Sequence, residues 1–268
     1  MRRTSPSTAS RAVYGKSALT REAAYLLLGY IAHSPPQSFS PRCTLYDQRA
    51  TVIELGAGVG TAGLAVAQQL EEGVVVLTDL EHVLPLLERN AAPLARSRRA
   101  AVRALPWGDA RAAARIQAEF GRVTHVLCSD LVYFPELLAP LLRSLIDLTR
   151  DGAPEVIIGY KVRSLVKEQP FWLAFGTWFD FEPVDVRHGA DWIPFGSRTH
   201  HVRAGAHDAP AEDDYFVFVA HRRRDTLADA PPQSDADLLG GRRVRSGALI
   251  EAGAGADAFE LLLLGRSV

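Results

Sequence analysis

The stretch Val52–Thr61 reads Val-Ile-Glu-Leu-Gly-Ala-Gly-Val-Gly-Thr and decides the fold. An apolar strand pattern runs there into a glycine-packed turn, and a helical pattern begins at Thr61. Glycines let a ligand approach the backbone because they carry no Cβ, and a helix N-terminus offers free N–H donors. Glu54 stands two residues before the first glycine, where it favours a ligand with a positive amino or sulfonium group. The stretch therefore predicts a nucleotide-like ligand at the end of a buried strand.

A regular alternation of strand and helix patterns extends from this stretch. The predicted strands are Thr51–Leu55, Val74–Thr78, Ala101–Leu105, Thr124–Ser129 and Glu155–Tyr160. The predicted helices between them are Thr61–Leu70, Val83–Ala95, Ala110–Glu119 and Pro135–Leu148. Short apolar strands separated by helices are typical of βαβ units, whose right-handed crossovers place helices on both faces of a parallel sheet. The alternation predicts an α/β fold with a doubly wound, mostly parallel sheet.

After the fifth strand the pattern changes. An aromatic-rich segment, Pro170–Trp178, predicts a helix, and Phe179–Val186 and Tyr215–His221 predict two strands. Because no clear helical pattern separates these strands, we expect an antiparallel hairpin at the edge of the sheet. The polar stretch Arg187–Asp214 is predicted to be a loop, and a long loop in a compact domain is usually functional or disordered.

Three parts are predicted along the chain: a disordered leader at 1–15, one domain at 16–222 and a flexible tail at 223–268. The leader is basic and free of acids, so a mitochondrial transit peptide is its alternative interpretation. A helix is predicted at Ser17–Ala32. The stretch Arg222–Gly247 has the composition of a linker, and the apolar run Ala258–Leu264 is predicted to dock as a terminal helix or strand or to bind a partner.

Composition bounds the possible functions. The 268 residues are 47% hydrophobic and carry a formal net charge of −1, so no global basic field favours nucleic acid. No apolar stretch is long enough for a membrane span. Cys43 and Cys128 fit no disulfide framework and no metal spacing, and we expect Cys128 to be a small core residue. This favours a reducing compartment, the cytoplasm. His200 and His201 are predicted surface residues, and we expect no metal site.

The glycines after Leu55 allow two registers. Gly58, Gly60 and Gly63 satisfy the dinucleotide fingerprint G-x-G-x-x-G, whereas Gly56, Gly58 and Gly60 satisfy E-x-G-x-G-x-G. The strand ends at Leu55, so the tight turn should begin at Gly56, which favours the second register. The dinucleotide register also expects the motif near the start of the domain, and about fifty residues precede it here.

Two residues that follow later strands could complete a nucleoside site. Asp79 lies at the end of the second strand, where an acid can bind both ribose hydroxyls; its alternative is to cap the next helix. Trp107, in Leu-Pro-Trp-Gly-Asp after the third strand, could cover an adenine face; its alternative is a packed aromatic residue.

Asp130 and Tyr133 close the fourth strand in the sequence Ser-Asp-Leu-Val-Tyr-Phe. An acid and an aromatic hydroxyl beyond the carboxyl end of a parallel strand lie where such sheets bind ligands. The alternative is a turn acid beside a packed tyrosine.

Together these motifs resemble the seven-β-strand S-adenosylmethionine-dependent methyltransferases, and they are most similar to methyltransferase family 16, whose members are largely protein lysine methyltransferases. The resemblance covers about residues 15–222. The matching residues are Glu54, Gly56, Gly58 and Gly60 of the loop, Asp79, the pair Trp107-Gly108, and Asp130-x-x-Tyr133. It implies a seven-stranded sheet that ends in a hairpin, and S-adenosylmethionine as cofactor.

The resemblance also implies a role for each of these residues. Glu54 and the glycine loop would hold the methionine moiety, Asp79 the ribose and Trp107 the adenine. Asp130 and Tyr133 would line the channel for the substrate amine, and Asp130 would also belong to the cofactor-binding residues. Asp130 would recruit and orient the amine, and Tyr133 would donate a hydrogen bond to it or form an aromatic wall around its cation. Because the sulfonium is already activated, the protein mainly supplies alignment and electrostatics.

The implied function is N-methylation of a lysine in a protein substrate by a monomeric enzyme. Related enzymes modify translation elongation factors and chaperones, and the sequence does not choose between these partners. The alternatives are a small-molecule N-methyltransferase, an NAD-dependent oxidoreductase and a non-catalytic cofactor-binding module. A protein substrate needs an open trough, whereas a metabolite favours a lidded pocket.

Overall fold

The fold is taken from a computed structural model that describes residues 24–151, 154–196 and 215–251. The strands are β1 (Phe39–Ser40), β2 (Ala50–Leu55), β3 (Gly73–Asp79), β4 (Ala100–Ala104), β5 (His125–Ser129), β6 (Glu155–Lys161), β7 (Phe179–Pro183), β8 (Asp185–His188), β9 (Asp191–Pro194), β10 (Tyr215–Arg222), β11 (Arg242–Arg245) and β12 (Ala248–Glu251). The helices are α1 (24–30), α2 (Thr61–Gln69), α3 (Leu84–Arg96), α4 (Ala110–Phe120), α5 (Pro135–Leu148), α6 (Leu165–Trp178) and α7 (Asp235–Leu239), and Arg224–Thr226 forms a 3-10 turn.

The central sheet has seven strands in the order β4-β3-β2-β5-β6-β10-β7. The first five of these are parallel, and β10 runs antiparallel to both β6 and β7. This confirms the doubly wound, mostly parallel sheet with a terminal hairpin. The five predicted strands and the four helices between them begin and end within one residue of their predicted bounds. Because strands β2 to β6 are parallel, the segments that follow them all begin at one edge of the sheet, here called the carboxyl edge.

Both faces of the sheet are covered, as parallel strands require. One core cluster packs α4, α5 and α6 against the sheet, and the other packs α1, α2 and α3. Strand β3 reads Gly-Val-Val-Val-Leu-Thr-Asp, and its central side chains are buried on both faces. Branched apolar residues suit this environment because they pack well on a pleated surface.

Helix α6 begins at Leu165, five residues before its predicted start at Pro170. The buried carboxylate of Glu168 explains the early start: it accepts hydrogen bonds from the backbone N–H of Arg163 (3.2 Å) and of Ser164 (3.1 Å). These bonds satisfy donors that a helix N-terminus leaves without an intrahelical partner. Pro170 therefore lies inside the helix, where it cannot donate a hydrogen bond to the carbonyl of Val166, and does not mark the helix start as predicted.

Part of the predicted loop 187–214 is instead a hairpin. Strands β8 and β9 pair antiparallel, with Val186 opposite Ile193, and β1 extends them to a three-stranded sheet. The loop prediction was wrong here because two short strands with one apolar face were hidden among polar residues; Gly189, at φ +64°, makes the turn between them. The remaining residues 197–214, with His200 and His201, lie outside the described residues.

The linker predicted at 222–247 is also wrong as far as the structure describes it. Residues 223–251 contain α7 and the β11–β12 hairpin, and Leu238 is fully buried. The charged residues that suggested a linker form ion pairs within the folded structure. Arg143 forms an ion pair with Asp235, and Arg243 forms one with the buried Asp229 at 3.2 Å. The leader at 1–15 and the apolar run Ala258–Leu264 lie outside the described residues, as do residues 17–23 of the predicted first helix.

Within the described ranges, no helix has both the length and the hydropathy needed to cross a membrane. Cys43 and Cys128 are both free thiols. Cys128 is buried in the core on β5, as the sequence predicted.

Candidate active site

The glycine loop after β2 adopts the second of the two sequence registers. Gly56, Gly58 and Gly60 all have positive φ, at +56°, +56° and +83°, whereas Gly63 lies inside α2. At Gly56 the space is also closed, because a Cβ there would lie 2.9 Å from Cζ2 of Trp107. The turn therefore needs the glycines of E-x-G-x-G-x-G, and Gly63 serves packing instead: a Cβ on it would collide with the carboxylate of Glu54 and with Leu77.

Glu54 lies beneath this loop and is only 1% exposed. Its Oε2 accepts a hydrogen bond from the backbone N–H of Gly63 at 3.0 Å, in the first turn of α2. Helix α2 has no side-chain cap of its own and no acid in its first turn, so Glu54 supplies a hydrogen-bond acceptor for one N–H of the helix N-terminus. Burial raises the pKa of Glu54 to about 8, the Gly63 amide opposes this rise, and the charge of Asp79 adds to it.

Asp79 ends β3 and is tied to the same loop. Its Oδ2 accepts a hydrogen bond from the N–H of Gly58 at 2.7 Å, and its Oδ1 accepts one from the N–H of Leu80 at 2.7 Å. Asp79 does not cap α3, whose N-cap is Val83 with no side-chain bond. The capping alternative for Asp79 is therefore wrong, and the carboxylate instead joins the end of β3 to the glycine loop.

Trp107 follows β4 and is half-buried, and its ring rests against Gly56. The turn that carries it is fixed by the N–H of Gly108, which donates to Oγ of Ser144 at 2.8 Å. Asp109 then caps α4 by accepting hydrogen bonds from the N–H groups of Arg111 and Ala112, each at 2.9 Å. The indole is thereby placed beside the glycine loop while keeping part of its surface open.

Asp130 and Tyr133 follow β5 at the same edge, and Arg163 joins them from the end of β6. The guanidinium of Arg163 holds the Asp130 carboxylate with two parallel hydrogen bonds, one of them from Nη1 to Oδ1 at 2.6 Å and the other from Nη2 to Oδ2. Its Cζ lies 5.0 Å from the centre of the Tyr133 ring, a cation–π distance. Burial and the charge of Asp130 raise the pKa of Tyr133, so its hydroxyl keeps its proton at neutral pH.

The structure thus brings all the predicted site residues to the carboxyl edge. Leu131 links the two halves of the site, because a Cβ on Gly56 would lie 3.0 Å from its Cδ2. Sequence reasoning missed Arg163, Ser144 and Leu131. Arg163 had a usable signal, since a charged residue two positions after β6 follows the same strand-end rule that singled out Asp130. Ser144 and Leu131 had none, because their roles arise from contacts between distant elements.

The fold and the site together define a doubly wound α/β protein with a ligand site at its strand ends. A family model described as "Lysine methyltransferase" (methyltransferase family 16) matches residues 17–174, which is more than half of the chain. The chain belongs to this family of enzymes, and the resemblance inferred from its motifs is confirmed. The family is S-adenosylmethionine-dependent, so this is the cofactor that the site has to fit.

Two relatives illustrate the similarity. The chain is 35% identical over 124 residues to protein-lysine N-methyltransferase EFM6 of Saccharomyces cerevisiae, which covers 42% of this chain and 50% of that protein. It is 32% identical over 108 residues to protein N-lysine methyltransferase METTL21A of Xenopus tropicalis, which covers 39% of this chain and 46% of that protein. The chain therefore spans about half the length of the curated relatives it matches.

Among solved structures, the chain is similar to a crystal structure of a predicted O-methyltransferase from Agrobacterium tumefaciens, with a TM-score of 0.47 and 19% identity. The similarity covers 75% of this chain and 81% of that chain. At this level the similarity carries no argument about function.

Proposed function

We propose that this protein transfers a methyl group from S-adenosylmethionine to a lysine side chain of a protein substrate. The observation that carries the proposal is the gathering of the glycine loop, Asp79, Trp107, Asp130 and Tyr133 at one edge of the sheet. Hydrogen bonds and ring contacts link these groups to one another, so they form one site. The family supports the chemistry, and the two relatives named above are both protein-lysine N-methyltransferases.

The residues present fit the cofactor. Asp79 would bind the ribose hydroxyls, and the open face of Trp107 would cover the adenine. Glu54 and the loop Gly56–Gly60 would hold the methionine moiety. A carboxylate already bonded to the N-terminal turn of α2 suits a positively charged ligand and disfavours a phosphate there, which argues against the NAD-dependent alternative. When bound, S-adenosylmethionine supplies a methyl group on an activated sulfonium.

Asp130 and Tyr133 are the residues that we place along the approach of the lysine amine. Tyr133, protonated at neutral pH, would donate a hydrogen bond or present its ring face, and it would not act as a base. Alignment of the amine with the methyl group is the main service that the protein can provide in such a displacement. Replacing Asp130 by Ala should therefore reduce methyl transfer.

An exposed apolar rim favours a protein over a metabolite as the substrate. Four large apolar side chains are exposed in the segments that follow strands at the carboxyl edge. Val59, Leu80 and Phe134 lie in the loops after β2, β3 and β5, and Val166 lies in the first turn of α6, which follows β6. Apolar side chains exposed after the strands that carry the site residues could serve as contacts for a protein substrate. We propose an elongation factor or a chaperone as the protein substrate. We also propose that the enzyme is a monomer and acts in the cytoplasm.

The direct test is to incubate the protein with tritiated S-adenosylmethionine and a cell lysate, and then to identify labelled lysines by mass spectrometry. We expect one labelled protein band or a few, and loss of the label with Asp130→Ala. Labelling of small molecules alone would favour the metabolite enzyme. Cofactor binding without any label would favour the non-catalytic module.

The rim has its own test with a matched control. Phe134→Asp should reduce labelling of the acceptor protein about 5- to 30-fold, as loss of an interface anchor does, while S-adenosylhomocysteine binds as in the unchanged protein. Leu249→Asp changes an equally exposed apolar residue on β12 and should leave labelling unchanged. Equal labelling by both variants would remove the rim as support for a protein substrate.

A further inference from the structure

Arg163 is built into the site more firmly than a surface arginine would be. Its side chain is 28% exposed, while that of Asp130 is 1% exposed, and the guanidinium contacts both carboxylate oxygens. Its own backbone is held as well, since its N–H donates to Glu168, which also accepts a hydrogen bond from the hydroxyl of Tyr160 at 2.6 Å. Paired, two-point bonds between arginine and carboxylate are among the strongest in proteins and fix orientation as well as charge.

The backbone of Asp130 shows why such an anchor is needed. Asp130 has φ +62°, in the left-handed region that residues with a Cβ rarely adopt. Its N–H donates to the carbonyl of Gly159 at 2.7 Å. A residue keeps this conformation only where the surroundings over-determine it, and such residues cluster at functional sites. Here β6 supplies both restraints: the carbonyl of Gly159 and the side chain of Arg163.

The pairing changes what Asp130 can offer to a lysine. Both carboxylate oxygens face the guanidinium, and almost no surface of Asp130 is open, so a lysine ammonium has no free carboxylate face to bind. Arg163 also places its charge 5.0 Å from the Tyr133 ring, where the amine is proposed to arrive. A nearby like charge disfavours an ammonium and favours the neutral amine, which is the form that can accept a methyl group.

We propose that Arg163 is a positioning residue: it keeps Asp130 paired and holds a fixed positive charge beside Tyr133, so that the site receives its lysine as a neutral amine. This inference rests on the proposed lysine methylation. It replaces recruitment of the ammonium by Asp130 with selection of the neutral amine by the Asp130–Arg163 pair.

The pH profile of methyl transfer tests this role. Initial rates would be measured with tritiated S-adenosylmethionine and the labelled acceptor protein between pH 6.5 and 9.5. In Arg163→Gln the unpaired Asp130 would capture the ammonium, so kcat should fall about tenfold at pH 7 without a rise in KM. The midpoint of the rise of rate with pH should move upward by about one unit. Arg163→Lys, which keeps the charge, should keep a midpoint close to that of the unchanged protein.

Two further variants make the result decisive. The double variant Asp130→Asn with Arg163→Gln leaves no unpaired buried charge, so it can be measured if Arg163→Gln alone does not fold. The midpoint of its rate against pH should also lie above that of the unchanged protein. Arg143→Gln removes an arginine that pairs with Asp235 away from the site and should leave the midpoint unchanged.

The possible failures can be told apart. If the unchanged protein transfers methyl groups and the midpoints of the folded Arg163 variants equal its own, whatever their rates, the inference is wrong and Arg163 is merely structural. If the unchanged protein transfers no methyl group to any lysine, the proposed function fails and this inference fails with it.

Discussion

The two ends of the central sheet treat buried ionisable groups in opposite ways. At the amino ends of β5 and β6, Thr44 donates to Oε2 of Glu155 at 3.1 Å and lies 2.9 Å from Nε2 of His125. Burial lowers the pKa of His125 to about 4 and raises the pKa of Glu155, so this cluster moves toward neutral forms. At the carboxyl edge, Asp130 and Arg163 are instead held as a charged pair against an aromatic ring.

The two ends differ in whether buried polar groups are neutral or charged. Polar atoms cost less free energy to bury when they are neutral and hydrogen-bonded, and the groups at the amino end are of this structural kind. Partial burial of a charged pair costs desolvation free energy, and only well-aligned hydrogen bonds offset that cost. At the carboxyl edge, the fixed turns after the strands hold the two charged groups in that alignment. At the carboxyl edge, charge is kept where a carboxylate and a guanidinium pair, as in Asp130 and Arg163, whereas the unpaired buried Glu54 moves toward its neutral form as Glu155 does.

The largest effect should come from Asp79→Asn at the carboxyl edge. A charge-assisted hydrogen bond contributes about 1.5–3 kcal/mol, so loss of the proposed bond from Asp79 to the ribose should weaken S-adenosylhomocysteine binding about 10- to 100-fold by calorimetry. The matched control is Asp47→Asn, since Asp47 is also held by two hydrogen bonds but pairs with the exposed Arg42 near the amino end. Equal affinities in the two variants would abolish the contrast between the two ends.

A smaller effect is expected from Glu54→Gln. The pKa of Glu54 is about 8 in the free protein, and a bound cation should lower it because it favours the ionised carboxylate. The unchanged protein should therefore bind S-adenosylmethionine roughly tenfold more tightly at pH 8 than at pH 6.5, with release of a proton. The Gln variant should lose the part of the pH dependence that comes from Glu54. Any part that comes from titration of the ligand itself is the same for both proteins. The same pH slope in both would show that Glu54 does not respond to the cofactor.

The smallest effect should come from Glu155→Gln at the amino end. Because the folded-state pKa of Glu155 is raised, its contribution to stability is complete below the ordinary carboxyl pKa and is lost as pH rises through the folded value. From pH 5 to pH 8 the unchanged protein should lose more unfolding free energy than the Gln variant, measured with urea. Methyl transfer per folded molecule should stay the same. A large drop in transfer would connect this end to the site and contradict the comparison.

Much of this molecule was predictable from local patterns. Alternating apolar strands and helices, such as β3 and α5, carry their periodicity in the sequence, and the glycines after Leu55 mark the loop. Charged Arg and Asp residues after Arg222 misled prediction, because their composition resembles a linker while their pairing, as in Arg243 with Asp229, is visible only in three dimensions. The β8–β9 hairpin escaped for a related reason: strands this short carry too few residues for a clear alternation.

The order of strands and helices and the glycine loop could be read from the chain, because strand ends and glycine turns are local features. The electrostatic state of the residues at the strand ends depended on the folded protein. Glu54 became a buried partner of Gly63, and Asp130 became one half of a pair with Arg163, 33 residues away in the chain. The free energy of a charge depends on its solvation and its neighbours, and neither is set until distant segments pack together.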